Sequence, residues 1–146
     1  MTQTRSEASE APQPIALATA AETGQPNAVQ LRAGHHLFAA DEPISSGGGD
    51  TAPNPTQLAL GGLCACTAIT LRMYAQRKGW AIGTIQVRVQ LMQAGDQRSI
   101  ERVIRVEGGL DDEQRARLAE IAEKTPVTRL FKDETAIATE FVLGDT

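Results

Sequence analysis

The first 40 residues carry their apolar side chains in short stretches separated by turn residues. Stretches of this length, bounded by glycine, proline and asparagine, are typical of strands joined by tight turns. We therefore expect an N-terminal antiparallel β-meander, preceded by a polar tail over residues 1–13, in a single domain that spans residues 14–146. The three predicted strands cover residues 15–20, 28–31 and 36–39.

A long apolar run from Leu58 to Leu71 follows a loop rich in glycine, serine and proline. Pro55 suits the first position of a helix and Gly79 suits the position after a helix end, so the run predicts a helix over residues 55–78. Its middle is apolar on every side, which is typical of a helix enclosed by protein. A chain of 146 residues has little material to enclose it. We therefore expect a homodimer in which two such helices pack together.

The second half of the chain contains alternating strand patterns and helix signals. Gly95 marks a hairpin turn between two alternating segments. Asp111 is expected to begin a second helix, and Pro126 to kink that helix or to begin a new one. This order of elements predicts an α+β fold with antiparallel sheets and a long buried central helix. The strands predicted here cover residues 84–92, 100–106 and 136–143.

Composition and charge exclude several classes of partner. The net charge is −4 and the chain has no Lys/Arg-rich run, so nucleic acid is not expected as a partner. The run from Leu58 to Leu71 is shorter than the roughly 18 apolar residues of a membrane span, so no membrane partner is expected either. With no basic and apolar leader in view, we predict a cytoplasmic protein whose two cysteines stay reduced.

The two cysteines, Cys64 and Cys66, lie on opposite sides of the predicted helix, because residues two apart point about 200° away from each other. They cannot form a disulfide while helical. No second ligand pair has zinc-site spacing, so we expect no metal and no cofactor. Two interpretations stay open: both thiols are small apolar fillers, or one is reactive and has access and a nearby cation.

Three further features carry less chemistry. Glycines 47–49 are followed by no Lys-Ser/Thr pair, so they indicate a flexible loop rather than a phosphate site. The adjacent His35 and His36 are typical of a strand edge. Arg102 falls on the apolar face of its predicted strand. It is either a side chain that extends its charge to water or a buried cation paired with a carboxylate.

Several motifs together make the chain similar to the OsmC/Ohr family over residues 34–131. The longest is A-C-T-A-I-T-L-R-M-Y-A at residues 65–75, and G-G-D-T-A-P-N-P at residues 48–55 precedes it. Shorter matches are D-E-P at 41–43, K-G-W at 78–80, E-R at 101–102 and G-G-L-D at 108–111.

The resemblance implies an OsmC-like fold in which two subunits interlock with their long helices at the dimer centre. It also implies thiol-dependent reduction of organic hydroperoxides. In that scheme a helix cysteine attacks the peroxide, a second cysteine forms a disulfide with it, and an external dithiol resets the pair. The attacking cysteine corresponds to Cys66, and Cys64 falls where the family usually has glycine.

The chain departs from the family at the second cysteine. The family's C-P-V-H segment reads T-P-V-T here, so Thr125 occupies the resolving position and Thr128 replaces the histidine. The early-turn arginine of the Ohr branch is also absent, and Thr56 stands where that branch has a glutamate. Arg32 and Arg102 are the candidate cations for Cys66.

Two functions are therefore predicted as alternatives. The first is a peroxide reductase that uses Cys66 without a resolving cysteine and is reset by an external dithiol. The second is a catalytically impaired family member that binds a small apolar ligand at the dimer interface.

Overall fold

A computed structural model describes residues 10–144 and has an α+β architecture. Most of the predicted tail, residues 1–9, lies outside the described residues. The chain divides into two compact units, one ending at Pro55 and one beginning at Thr56. Along the chain come strands β1 (Thr19–Glu22), β2 (Val29–Ala33) and β3 (His36–Ala40), helix α1 (Pro55–Lys78), strands β4 (Ile85–Ala94) and β5 (Gln97–Val106), and helices α2 (Asp112–Ala122) and α3 (Pro126–Lys132).

The first unit contains the predicted meander as a three-stranded antiparallel sheet in the order β1-β2-β3. The first strand was predicted at residues 15–20 but begins at Thr19, and the apolar side chains of Ile15 and Leu17 are almost fully exposed. A strand forms only where a neighbour accepts its hydrogen bonds, and β2 begins to pair with β1 at the partners Thr19 and Arg32.

The loop after β3 is organised around the buried carboxylate of Asp41. Asp41 accepts hydrogen bonds from the backbone N–H groups of Glu42, Gly49 and Thr51, and from the Thr51 hydroxyl at 2.6 Å. The bond from the Thr51 hydroxyl, followed by the bond from its backbone N–H, lowers the pKa of Asp41 from 3.8 to about 2. Glycine is required at position 48, because a Cβ there would lie 2.0 Å from the Glu42 carbonyl oxygen. The glycine-rich segment is therefore an anchored loop.

Helix α1 has the bounds that its terminal residues predict, Pro55–Lys78, and Gly79 follows with φ +68°. By length and composition alone α1 could cross a membrane. This possibility was not predicted from the sequence, because the apolar run from Leu58 to Leu71 is shorter than the helix. Within the second unit α1 buries one stripe of side chains, and the rest of its apolar surface is half-buried or exposed. That stripe comprises Leu63, Thr67, Leu71, Tyr74 and Ala75.

The buried stripe of α1 packs with α2 to form the core of the second unit. Leu71 and Tyr74 contact Leu118 and Ala122 of α2, and partly buried apolar side chains of β4 and β5 surround this cluster. The β4–β5 hairpin turns through two residues, with Gly95 at φ +60° in the first of them. Arg102 lies on the inner face of β5 with Ile104, as the alternation predicted.

Helix α2 ends at Ala122 and α3 begins at Pro126, so Pro126 begins a new helix rather than kinking the first. Asp111 caps α2 through a reciprocal capping box with Gln114. The strand predicted at residues 136–143 is wrong for this structure, which assigns no regular element there. Its apolar side chains are exposed, with Phe141 at 88%, and a strand cannot form without a neighbour to pair with.

Candidate functional site

The two cysteines of α1 lie on opposite flanks of its buried stripe. Both thiols are free and half-buried. The Sγ atom of Cys66 lies 4.0 Å from the Thr70 hydroxyl, one helical turn further along. Cys64 is on the other flank, as the two-residue spacing predicted.

The residue after Cys66 connects α1 to a charged side chain. Thr67 is fully buried, and its hydroxyl donates to the carbonyl of Leu63 at 2.7 Å. The oxygen of the same hydroxyl accepts a hydrogen bond from Nη1 of Arg102 at 3.1 Å. Arg102 reaches this position because β5 presents it on the face that packs toward the helices. The guanidinium thus binds the residue that follows Cys66 in the sequence, and consecutive residues point about 100° apart around a helix.

Three groups hold the Arg102 guanidinium, and its side chain is only 11% exposed. Besides Thr67, Nη1 donates to the hydroxyl of Thr128 at 2.8 Å, and Nη2 donates to Oε1 of Glu123 at 3.2 Å. Arg102 is therefore a buried cation paired with a carboxylate, which confirms one of the two interpretations of its position in the sequence. Glu123 also accepts a hydrogen bond from Lys132, and this bond is the largest influence that lowers the pKa of Glu123, followed by the charges of Lys132 and Arg102.

Thr125 and Thr128, the two threonines of the T-P-V-T segment, form one buried hydroxyl pair. Their Oγ1 atoms are 2.7 Å apart. Thr128 donates its single proton to the carbonyl of Ala122 at 3.1 Å, so Thr125 is the donor in the pair. Thr128 thereby accepts from both Thr125 and Arg102, which fills its two lone pairs. The hydroxyl of Thr128 therefore makes all three of its possible hydrogen bonds, one as donor and two as acceptor.

Thr125 has a second role as the N-cap of α3. Its hydroxyl accepts the backbone N–H of Thr128 at 3.3 Å, and Pro126 occupies the first helical position. Threonine is a preferred N-cap, because its side-chain oxygen satisfies one of the free N–H groups at a helix start. We refer to Thr67, Arg102, Glu123, Thr125 and Thr128 as the threonine–arginine network. In the described part of the chain, no buried side-chain nitrogen or oxygen lacks a hydrogen-bond partner.

A cleft of about 290 Å³ opens beside the threonine–arginine network. Arg102, Glu123 and Thr128 form its polar side, and Lys132 lies at the same cleft. The apolar side consists of Leu63, Ile100 and Phe131. The arrangement combines an apolar wall with a fixed cation, which suits a small ligand that has an apolar body and a polar group.

The remaining candidate, Arg32, is an exposed residue of β2 in the first unit, opposite Thr19 and Leu37 in the sheet. Analysis of the sequence did not anticipate Thr67 or Glu123 as partners of Arg102. One signal for Thr67 was available: Leu63, Thr67 and Leu71 recur every fourth residue, which places the hydroxyl on the buried stripe. No local pattern marks Glu123, since its contact joins positions 21 residues apart.

Comparison with known proteins finds one matching family model and several similar solved structures. A family model described as OsmC-like protein matches residues 47–140, well over half of the chain. No curated protein matches the chain significantly.

Three solved structures illustrate the likeness. An osmotic stress induced and detoxification response protein from Psychrobacter arcticus is 20% identical, with a TM-score of 0.69 over 81% of this chain and 89% of that one. An organic hydroperoxide resistance protein OsmC from Legionella pneumophila is 20% identical, with a TM-score of 0.58 over 84% and 93%. Organic hydroperoxide resistance protein OhrB of Bacillus subtilis is 25% identical, with a TM-score of 0.54 over 82% and 91%. These likenesses confirm the predicted α+β fold.

Proposed function

The chain belongs to the OsmC-like protein family, and from this premise we propose that it reduces organic hydroperoxides with Cys66 as the attacking thiol. The observation that carries the proposal is the position of Cys66: it is half-buried on α1 and directly precedes Thr67, which binds the Arg102 guanidinium. A thiolate needs access and a nearby positive charge to act as a nucleophile. The similar structures from Legionella pneumophila and Bacillus subtilis are called organic hydroperoxide resistance proteins, which supports a role in peroxide detoxification.

The proposed reaction begins when the Cys66 thiolate attacks the distal oxygen of the hydroperoxide. The O–O bond breaks, the alkoxide takes up a proton and leaves as an alcohol, and Cys66 becomes a sulfenic acid. An external thiol then attacks the sulfenic acid, releases water and forms a mixed disulfide. The second thiol of the external dithiol then attacks the sulfur of the first, Cys66 leaves as the thiolate, and the reductant closes its own disulfide.

The external reductant is part of the proposal because neither other candidate position offers a resolving thiol. Thr125 carries a hydroxyl that is committed to Thr128 and to the start of α3. Cys64 lies on the opposite flank of α1 and could reach Cys66 only if the helix unwound. We therefore propose a cycle that uses one cysteine of the protein.

Homodimer formation is also part of the proposal. The side of α1 opposite its buried stripe exposes Ile69 at 59% and Met73 at 56%, and Gly61, Gly62 and Ala65 on that side are exposed as well. Small residues allow two helices to approach closely, and exposed apolar patches of this kind mark interaction sites. An Ile69→Glu variant should sediment as a monomer, whereas Arg98→Gln, a change at an exposed position of β5 and not of α1, should leave the dimer intact. Monomeric wild-type protein at micromolar concentration would contradict this part.

The test of the activity is consumption of cumene hydroperoxide with dihydrolipoamide as the reductant. Wild-type protein and Cys64→Ser should consume peroxide at similar rates, while Cys66→Ser should fall to the rate without protein. Equal rates for wild type and Cys66→Ser would refute the proposal. A cytoplasmic location, which we also propose, is supported by the two free thiols.

The second candidate function is binding of a small apolar ligand at the dimer interface by a protein that has lost catalysis. The observation that favours it is the buried hydroxyl pair Thr125 and Thr128, at the positions where the resemblance implies a cysteine and a histidine. Trapping with dimedone after peroxide treatment separates the two candidates. A dimedone adduct on Cys66 supports catalysis, and an unmodified Cys66 supports ligand binding.

A further inference from the structure

The sulfur of Cys66 has a polar neighbour on its own helix. The hydroxyl of Thr70 lies 4.0 Å from Sγ, and both side chains are half-buried. Thr70 follows Cys66 by four residues, the spacing at which side chains of an α-helix meet. The separation is long for a hydrogen bond, and catalytic hydrogen bonds are often long before substrate is bound and shorten during the reaction. The helix thus keeps a hydroxyl beside the thiol.

The proton of the Thr70 hydroxyl is available to the sulfur, whereas that of Thr67 is not. Thr67 donates its single proton to the carbonyl of Leu63, four residues earlier, which is the usual bond of a threonine inside a helix. Thr70 has the same spacing to the carbonyl of Cys66. Among the described residues, however, the hydroxyl of Thr70 has no hydrogen-bonding contact besides Sγ.

We propose that Thr70 is a further catalytic residue, whose hydroxyl donates a hydrogen bond to the thiolate of Cys66. The inference rests on the proposed function for the choice of Cys66 as the attacking thiol. A thiol can donate or accept, but a thiolate can only accept, so ionisation fixes the direction of the bond from Thr70 to sulfur. A hydrogen bond to the charged form of a group favours that form. Thr70 therefore raises the fraction of Cys66 that is nucleophilic.

The same hydrogen bond makes each thiolate less reactive, which gives the role of Thr70 a distinctive pH signature. Loss of one hydrogen bond of ordinary net strength should move the pH midpoint of Cys66 alkylation upward by about 0.7, a fivefold change in the balance between thiol and thiolate. Reactivity rises with basicity at a Brønsted slope of about 0.4–0.5, so a thiolate without the bond should react about twofold faster. Removal of the hydroxyl should therefore slow Cys66 by about 2.5-fold below the midpoint and accelerate it by about twofold above.

Alkylation by iodoacetamide from about pH 6 to about pH 10 tests the proposal on the full-length protein. A Cys64→Ser background ensures that only Cys66 reacts. Thr70→Val keeps the branched side chain and removes the hydroxyl, so its profile should cross that of the background protein, slower at low pH and faster at high pH. Thr70→Ser keeps the hydroxyl and should restore the background profile. Thr135→Val, the same change at an exposed position outside the helices, should leave the profile unchanged.

The charged side chains of the neighbouring elements stay in place in these variants. They are Arg102 of β5, Glu123 after α2 and Lys132 of α3, which bind one another and the buried threonines. None of them has a hydrogen bond to Thr70 in the described part of the chain. A crossing of the two profiles therefore reports the hydroxyl itself.

A Thr70→Val profile that superimposes on that of the background protein, or that is slower at every pH, would overturn the proposal. So would a Thr70→Ser profile that follows Thr70→Val. Thr70→Ala removes the hydroxyl with a better helix former and should show the same crossing if valine disturbs the packing. Alkylation needs no peroxide, so the two proposals fail separately. Crossed profiles in a protein that does not consume cumene hydroperoxide would refute the proposed function alone, and superimposed profiles in an active peroxidase would refute the role of Thr70 alone.

Discussion

Replacement of Arg102 by methionine tests whether the threonine–arginine network stabilises the fold. Methionine keeps the apolar stem and removes the guanidinium. The two bonds from Nη1 reach buried threonines, and each contributes about 1 kcal/mol net once the cost of burying the charge is included. The bond to Glu123 contributes little, because Glu123 is half exposed and keeps Lys132 as a partner. We expect Arg102→Met to lower the free energy of unfolding by about 2 kcal/mol.

The estimate does not include orphaned hydroxyls, because Thr67 and Thr128 keep their bonds to backbone carbonyls in the variant. Urea unfolding can be followed by the fluorescence of Trp80, the single tryptophan, which packs edge-on against Tyr74 in the core of the same unit. Protein concentration must be held constant, since dimer formation would add to the apparent stability. Arg98→Met is the matched control and should cost less than about 0.5 kcal/mol. A loss below about 0.5 kcal/mol for Arg102→Met would refute the reasoning.

Three further predictions concern single positions. In Thr125→Cys, peroxide treatment should produce a disulfide between Cys66 and the introduced thiol, seen by mass spectrometry as the loss of two hydrogens, and the weaker cap should cost about 1 kcal/mol. Gly48→Ala should lower the thermal midpoint, because the new Cβ would meet the Glu42 carbonyl oxygen, and the overpacking should cost about 2 kcal/mol. The stability that ionised Asp41 provides should be fully present above pH 3.8 and be lost as the pH falls toward about 2. Unfolding curves of wild type and Asp41→Asn should therefore differ most above pH 4 and converge at lower pH.

Each of these outcomes can be contradicted directly. If Cys66 and the introduced thiol stay unlinked in a folded protein, position 125 does not approach Cys66 as the family resemblance implies. Gly109→Ala is the control for Gly48, since a Cβ there meets no atom within 4 Å, and equal losses would remove the collision argument. A difference between wild type and Asp41→Asn that does not change with pH would show that the carboxylate is not ionised preferentially in the fold.

Elements with strong local signals could be predicted from the sequence. The bounds of α1 follow from Pro55 and Gly79, which act through backbone geometry and need no tertiary contact. The β4–β5 hairpin follows from alternation and from the turn marked by Gly95. The segment at residues 136–143 shows the limit of this approach. Its alternation is a property of the sequence, but whether it forms a strand depends on a neighbour that the sequence does not specify.

The candidate site was predictable only in part, for a similar reason. Cys66 was identified by a motif on one helix, and the position of Arg102 on an apolar face indicated that it needed a partner. The partners themselves come from α1, from the end of α2 and from α3, at separations of 35, 21 and 26 residues. Such contacts depend on how the helices pack, which local periodicity does not determine. The two threonines of the T-P-V-T segment were visible in the sequence, but their joint hydrogen bonding was not.

The commitment of Thr125 to Thr128 and to the start of α3 has a kinetic consequence for the proposed cycle. A resolving cysteine in the same chain meets its target at an effective concentration of about a millimolar or more, independent of the surroundings. Without one, the lifetime of the Cys66 sulfenic acid is set by collisions with thiols in solution. This lifetime is inversely proportional to the thiol concentration. Turnover would then slow as cellular thiols are depleted. The fraction of oxidised protein would rise as the thiol level of the compartment falls. In the proposed cycle, a hydroxyl at position 125 would thus make removal of the Cys66 sulfenic acid a second-order rather than a first-order step.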